Sequence, residues 1–277
     1  MKTERYTLLQ DQLIICDPEL DIELIMPFDL PRLSEHAPQI QERDPEGNLR
    51  ALYLVSEGRR HGQCRLFAAE EEKVRSEMFY LHGKLHGPSV MYGDRGEVLA
   101  ETWYCDGKRI GKAKFYSPSG ALLSLQRFKQ GEWEGEQEYF YASGAIKSVI
   151  PFKLAKLHGQ VRLFWEGGSS KRLVHYVDGL REGSDQLWNE QGILIDEGEY
   201  RAGKTVGVHR RYFADGVLQE ERHYHTPLRF DRREWDPSGK LLLEGVFAPD
   251  LTYTERVYQG TTQVRKGVWD DGRIRWK

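Results

Sequence analysis

The sequence predicts an all-β protein: an elongated, twisted antiparallel sheet of stacked β-hairpins, with a separate cap at the N-terminus. Three observations predict it. Aromatic residues recur every 24 positions at Tyr80, Tyr104, Phe128, Phe152, Tyr176, Tyr200 and Tyr224. A second column of large aromatics, Tyr92, Tyr116, Phe140, Phe164, Trp188 and Tyr212, keeps the same spacing, as do glycines at 96, 120, 144, 168, 192 and 216. Two further glycine columns, four residues apart, run through Gly83, Gly107, Gly131, Gly179 and Gly203 and through Gly87, Gly111, Gly135, Gly183 and Gly207. A fixed period of this length marks an array of identical supersecondary units, each too small to bury its own apolar face alone.

Each unit reads as a hairpin. In GKLHGPSVMYGDRGEVLAETWY two strand-length runs are separated by a Gly-containing tetrapeptide, and the next unit follows another Gly-bounded turn. The loops GDRG, SPSG, YASG, NEQG, FADG and DPSG carry the Asp, Asn, Ser and Pro chemistry that β-turns favour. The period weakens at both ends, over Gly58–Tyr80 and beyond Pro249, as expected of terminal units that must resist further pairing. The repeat region is placed at 44–277.

Residues 1–43 lack the period and form the cap. TLLQDQLIICD and LDIELIMPF could each be a strand laid on the first hairpin. Residues 1–46 hold 11 acidic and 4 basic side chains, a charge of -7, so the remainder carries +4 within a total of -3. That near-neutral total disfavours coating of nucleic acid, and no run reaches the ~18 consecutive apolar residues a membrane helix needs. With 39% hydrophobic residues, a folded chain is expected. The three cysteines, Cys16, Cys64 and Cys105, are too few and too scattered for a disulfide framework or a metal knuckle. With no signal-peptide pattern at the start, a cytoplasmic protein is expected.

The recurring Gly-x-x-x-Gly, the aromatic five residues after its second glycine and the Gly-x-Leu/Ile strand opening resemble the MORN-repeat variant family. GKLHGPSVMY, GKRIGKAKFY and GLREGSDQLW are the clearest copies, and the resemblance covers roughly residues 58–247. It implies hairpins stacked into one sheet. It also implies a binding role, since bacterial members include antitoxins and toxin-immunity proteins, whereas eukaryotic members are more often scaffolds or membrane-junction components. Ala155, Pro227 and Asp231 depart from the glycine pattern, so irregular hairpin geometry is expected there.

Chemistry is sparse. His61, His86 and His158 fall in Gly-x-x-His-Gly turns and read as turn residues. His223 and His225 share a strand face like a metal pair, but no third ligand is periodic with them. Gly167-Gly168-Ser169-Ser170-Lys171 lacks the order of a phosphate loop, and no nucleophile elbow, zincin or dinucleotide motif occurs. No catalytic, cofactor-binding or metal-binding residue is assigned, and a non-enzyme is expected.

Binding is the stronger reading. Side chains alternate between faces, so residues preceding the column aromatics point away from them. The expected partner-binding strip is Trp103, Phe115, Arg127 and Tyr139, since Trp, Tyr and Arg dominate interface hot spots. The alternative is that twist and bulges bury both faces. Glu19, Asp21 and Glu23 offer a second interface: against a toxin with a basic cleft, such as a nuclease, their carboxylates would imitate phosphates. The expected function is therefore non-catalytic binding of a cognate toxin by an immunity protein or antitoxin, with no direct nucleic-acid contact and no membrane span. A scaffold or membrane-surface adaptor is the runner-up.

Overall fold

The computed structural model describes residues 6–9, 12–17, 19, 21–27, 30–33, 39–68 and 73–277. Every element among them is a β-strand, and none is a helix long and apolar enough to cross a membrane. The chain divides into two units, residues 1–146 with 152–155, and residues 147–151 with 156–277.

The first unit contains two sheets. Tyr6–Leu9, Gln12–Asp17 and Ile22–Pro27 form a three-stranded antiparallel sheet. A second antiparallel series begins at Ile40–Arg43, four residues before the boundary expected from the period. It continues through Leu49–Ser56, Arg59–Phe67, Val74–Leu81, Lys84–Tyr92, Val98–Cys105, Lys108–Tyr116, Leu122–Lys129 and Gly135–Phe140, each strand pairing with its neighbour in sequence. In the second unit, Ser148 and Val149 pair with Leu163 and Arg162, and the same meander runs from Gly159–Phe164 to Arg273–Trp276.

Two kinds of turn alternate. The short ones, such as Asp106-Gly107 and Asp178-Gly179, hold both residues at positive φ, the turn whose twist matches that of a hairpin. The longer ones, such as Ser117–Gly120, close through Ser117 N–H to Ala121 O at 2.8 Å and Gly120 N–H to Ser117 O at 2.9 Å. Consecutive short turns are tied by backbone: Gly107 N–H donates to Leu85 O and Gly131 N–H to Arg109 O in the first unit, Gly203 N–H to Arg181 O in the second.

Side chains complete this tie and explain the histidine-bearing turns. At four positions the residue before a glycine of the second column, or before Gly159 in line with it, accepts a hydrogen bond from the first N–H of the following short turn. His86 Nδ1 accepts from Asp106 N–H (3.3 Å), Glu134 Oε2 from Leu154 N–H (2.8 Å), His158 Nδ1 from Asp178 N–H (3.4 Å) and Glu182 Oε2 from Ala202 N–H (2.7 Å). Histidine and glutamate both serve there because either presents an acceptor at the same reach, while Ile110 and Val206 fill the position without one.

The expected irregularities resolve differently at each site. Leu154-Ala155 keeps the short-turn geometry, with φ of 50° and 60°, although neither residue is glycine. A left-handed residue with a Cβ costs about 1–2 kcal/mol, of which glycine's greater unfolded-state freedom takes back part. Ala155→Gly is therefore expected to stabilise the protein by about 1 kcal/mol, read as a rise in thermal midpoint; a fall would mean that the turn is not strained. Pro227-Leu228 forms the turn between Leu218–Thr226 and Arg229–Trp235 without positive φ. Asp231, in the place of a glycine, accepts Phe247 N–H at 2.8 Å and lies 3.1 Å from His225 Nε2.

A further regularity runs within each hairpin. Tyr92, Tyr116 and Tyr212 donate their hydroxyls to Glu77 (3.5 Å), Glu101 (2.9 Å) and Glu197 (2.7 Å). Where the acid is replaced by Leu52, Leu125, Val149 or Leu173, the phenol is replaced by Phe67, Phe140, Phe164 or Trp188. A hydroxyl is present only where an acceptor answers it, because an unpaired polar group on a half-buried surface is costly. Burial, followed by the bonded glutamate, pushes Tyr116 and Tyr212 up to about 12. Since the unfolded phenol ionises near 10, stability is full below that pH and is lost as pH rises through 12. In ultraviolet titration, Tyr116→Phe and Tyr212→Phe should each remove one late-ionising phenol; loss of an early one instead would contradict the pairing.

Candidate interaction surface

Ladder partners share a face, so the registers sort every side chain. In the first unit one row crosses eight strands as Ala51, Leu66, Ser76, Met91, Ala100, Phe115, Ser124 and Tyr139. Small and large residues alternate strictly. The small ones are buried beneath their neighbours, while Met91 is 54% exposed. Two residues along each strand lie Tyr53, Cys64, Met78, Ser89, Thr102, Ala113, Gln126 and Gln137, and then Tyr80, Tyr104 and Phe128, whose ladder partners Gly62, Gly87 and Gly111 carry no side chain. Among the described residues of these eight strands, this face carries two charged side chains, both arginines, and no carboxylate. Arg60 lies over Tyr53 (4.4 Å) and Tyr80 (5.7 Å), paired with Glu42 of the adjoining strand at 3.4 Å. Arg109 is exposed and lies 5.1 Å from the Phe128 ring centroid.

The opposite face holds the charge. Its row reads Leu52, Arg65, Glu77, Val90, Glu101, Lys114, Leu125 and Glu138. Part of it is covered by the N-terminal sheet, whose Ile15, Ile22, Leu24 and Met26, together with Leu30 just after it, pack on Phe79, Leu81, Trp103, Cys105 and Ile110. Polar ties hold the cover down: Gln63 N–H to Pro31 O (2.9 Å), His86 Nε2 to Ile25 O (3.0 Å) and Lys112 Nζ to Glu19 O (2.6 Å). Gly62 and Gly87 are required beneath it, because a Cβ would strike the Pro31 carbonyl in one case and Met26 Cε at 2.8 Å in the other. The 24-residue column changes character beyond the cover: Phe79 and Trp103 give way to Arg127, Pro151, His175, Glu199 and His223.

The expected strip is therefore not one surface. Phe115 and Tyr139 sit in the uncharged row. Trp103 and Arg127 lie on the other face: Trp103 packs against the N-terminal sheet, and Arg127 pairs with Glu138 at 2.8 Å. The two aromatic columns face opposite ways, Tyr104 with Phe115 and Tyr116 with Glu101, so residues preceding them diverge as well. In the acidic segment, the Glu19 carbonyl is tied to Lys112, Asp21 forms the turn at φ 55°, and Glu23 is exposed opposite Cys16. The stretch thus contacts a basic strand of its own chain. Sequence reasoning missed the small-residue column Ser76, Ala100, Ser124, whose 24-residue spacing was available to it.

In the second unit the corresponding row turns polar: Arg172, Leu187, Asp196, Arg211, Glu220 and Glu234. A cavity of about 200 Å³ there is lined by Asp196, Tyr200, His209, Arg211, Glu220 and Arg222, with Arg211 3.6 Å from Asp196 and Arg222 2.7 Å from Glu220. The opposite face carries an ion ladder, Glu197–Arg210–Glu221–Arg233–Glu244–Arg256, with separations of 2.9–3.7 Å. His223 and His225 are neighbours, with ring centroids 5.4 Å apart, but His225 is engaged by Asp231. Lys171 of the glycine-rich turn lies 4.1 Å from the Trp165 ring centroid. Burial pushes the Cys64 and Cys105 thiols up, away from the reactive thiolate.

Residues 133–154 and 205–225 match the model of the MORN repeat variant. No curated protein matches the sequence. Among solved structures, the chain is similar to two described as the crystal structures of TcdB2-TccC3-Cdc42 and of TcdB2-TccC3 without the hypervariable C-terminal region. The first is 12% identical over 85% of this chain and 17% of that one, with a TM-score of 0.16; the second is 13% identical over 86% and 16%, with a TM-score of 0.18. The chain thus spans less than a fifth of either. The MORN repeat variant segments both contain strands of the hairpin series described above.

Proposed function

We propose that the chain is a non-catalytic binding protein of the antitoxin or immunity kind, acting inside the cell. It holds a cognate toxin against the uncharged face of its first unit and covers the toxin's active site. The observation that carries the binding role is that face: eight strands without a carboxylate, rich in Met, Phe and Tyr, on the side that the N-terminal sheet leaves uncovered. A preformed surface of this kind binds without the ordering cost of a flexible inhibitor. The antitoxin assignment is drawn from the resemblance to the MORN repeat variant.

The test is co-expression with the product of the neighbouring reading frame, followed by affinity measurement on the purified pair. Alanine at both Phe115 and Tyr139 should weaken binding by about 2 kcal/mol or more, whereas Arg127→Ala on the other face should leave it unchanged. Unaltered affinity in the double variant, with its fold intact, would remove this surface from the mechanism.

A further inference from the structure

We infer that the short turn at residues 153–156 is a docking point in its own right, one that seats in an apolar pocket rimmed by carboxylates on a partner protein. This rests on the reading of the chain as a binding protein and not on which protein it binds.

Three features that the fold does not need meet at this turn. Leu154 and Ala155 stand at φ 50° and 60°, a region that glycine enters freely and side-chain-bearing residues do not. The corresponding turns hold Glu57-Gly58, His82-Gly83, Asp106-Gly107, Gln130-Gly131, Asp178-Gly179 and Ala202-Gly203. Leu154 is 74% exposed, more than any other large apolar residue among the described residues, so its side chain adds little to the core. Lys153 and Lys156 bracket the pair, a spacing that sets like charges opposite one another in a hairpin. Both lysines are exposed, and among the described residues neither forms an ion pair. Departures from local consistency of this kind concentrate where a surface is used.

The turn is held in place all the same. Glu134 Oε2 accepts Leu154 N–H at 2.8 Å, and Ala155 N–H donates to Trp133 O at 3.3 Å. Trp133 is itself 38% exposed and meets Phe152 edge-on, with ring centroids 4.9 Å apart. The leucine is thus presented on a preformed support and needs little ordering to bind.

The chemistry selects the partner. A pocket that buries Leu154 and sets a carboxylate against each lysine removes the exposed apolar surface and the like-charge repulsion together. A phosphate backbone would answer the lysines and leave the leucine in water. Lipid-directed basic clusters carry about four to eight cations; this turn has two, and Glu132 of the preceding short turn is exposed.

Leu154→Asn tests the inference, because asparagine keeps the backbone donor and enters the left-handed region more readily than leucine. The full chain and this variant are each used to draw proteins from native extract, and the protein retained by the wild type is purified and titrated against both. Leu154→Asn should raise the dissociation constant about tenfold or more, with a thermal midpoint at or above that of the wild type. Lys153→Gln combined with Lys156→Gln should flatten the salt dependence of binding. Retention of no protein, affinity indifferent to Leu154→Asn, or a salt dependence unaltered by the double glutamine variant overturns the inference. So does Leu154-dependent sedimentation with phosphatidylserine vesicles, which would give the turn to a membrane. The toxin reading is decided separately. A retained partner that is not a toxin defeats that reading alone, and a toxin bound through Phe115 and Tyr139 but indifferent to Leu154→Asn defeats this one alone.

Discussion

Leu24→Ala is expected to loosen the N-terminal sheet by about 3 kcal/mol while leaving the distant hairpins intact. Leu24 is 2% exposed, at the centre of five buried apolar residues that fix this sheet to Phe79, Leu81, Trp103, Cys105 and Ile110. Removing a buried leucine down to its Cβ costs roughly 2–5 kcal/mol when the surroundings cannot collapse into the gap. Stability in a repeat array is approximately a sum of neighbour terms, so the loss should stay local. In hydrogen exchange, amides of Gln12–Asp17 and Ile22–Pro27 should exchange about a hundredfold faster, and those of Lys204–Tyr212 at their original rate. Uniform acceleration along the chain would show that the sheet is part of a single cooperative core.

Gln137→Ala should cost a similar amount, for a different reason. The Gln137 side chain is fully buried and serves the backbone where the strand pairing breaks between Glu132–Trp133 and Gly135–Phe140. Its Oε1 accepts Arg127 N–H at 2.8 Å, and its Nε2 donates to Arg127 O at 3.2 Å and Gly135 O at 3.1 Å. Alanine would leave these groups unanswered, at about 1–3 kcal/mol for each that water cannot reach, so a total near 3 kcal/mol is expected. The same column holds Cys64, Ala113 and Val161 in other hairpins, whereas His209 meets the backbone in the manner of Gln137, its Nε2 lying 3.2 Å from Glu199 N and 2.8 Å from Glu199 O. Denaturant melts of Gln137→Ala and Gln137→Glu should both show the loss, since glutamate lacks the donor. An unchanged midpoint in the alanine variant would mean that solvent replaces the amide.

The hairpins were legible because their signals are local. A 24-residue period and turn chemistry at fixed offsets need no knowledge of what packs on what, and even Ala155 changed the strain of its turn without changing its path. The faces were harder to read. Tyr104 pairs with Arg109, seven residues before Tyr116, so the two aromatic columns come out on opposite sides although each alternates regularly within its own strand. Phe115 and Tyr139 share the uncharged row, whereas Trp103 and Arg127, which the sequence groups with them, lie on the face behind. The role of Trp103 depends on Leu24 and Met26, about 80 residues away, and nothing in the repeat announces that contact. The acidic charge of the first residues was visible; that Lys112 stands beside it is a matter of tertiary position.

The pairing of Glu77 with Tyr92 and of Glu101 with Tyr116 bears on how such a chain can lengthen or shorten. Donor and acceptor are separated by only 15 residues and belong to one hairpin, so a copied or excised hairpin takes its hydroxyl and its carboxylate with it. The turn bonds of His86 and Glu134 instead reach 20 residues ahead, into the next hairpin, and are made afresh by whichever neighbour arrives with a free N–H. Interior chemistry is thus inherited within a module while the joints accept any successor, an arrangement that lets the number of modules drift without a penalty at the seam.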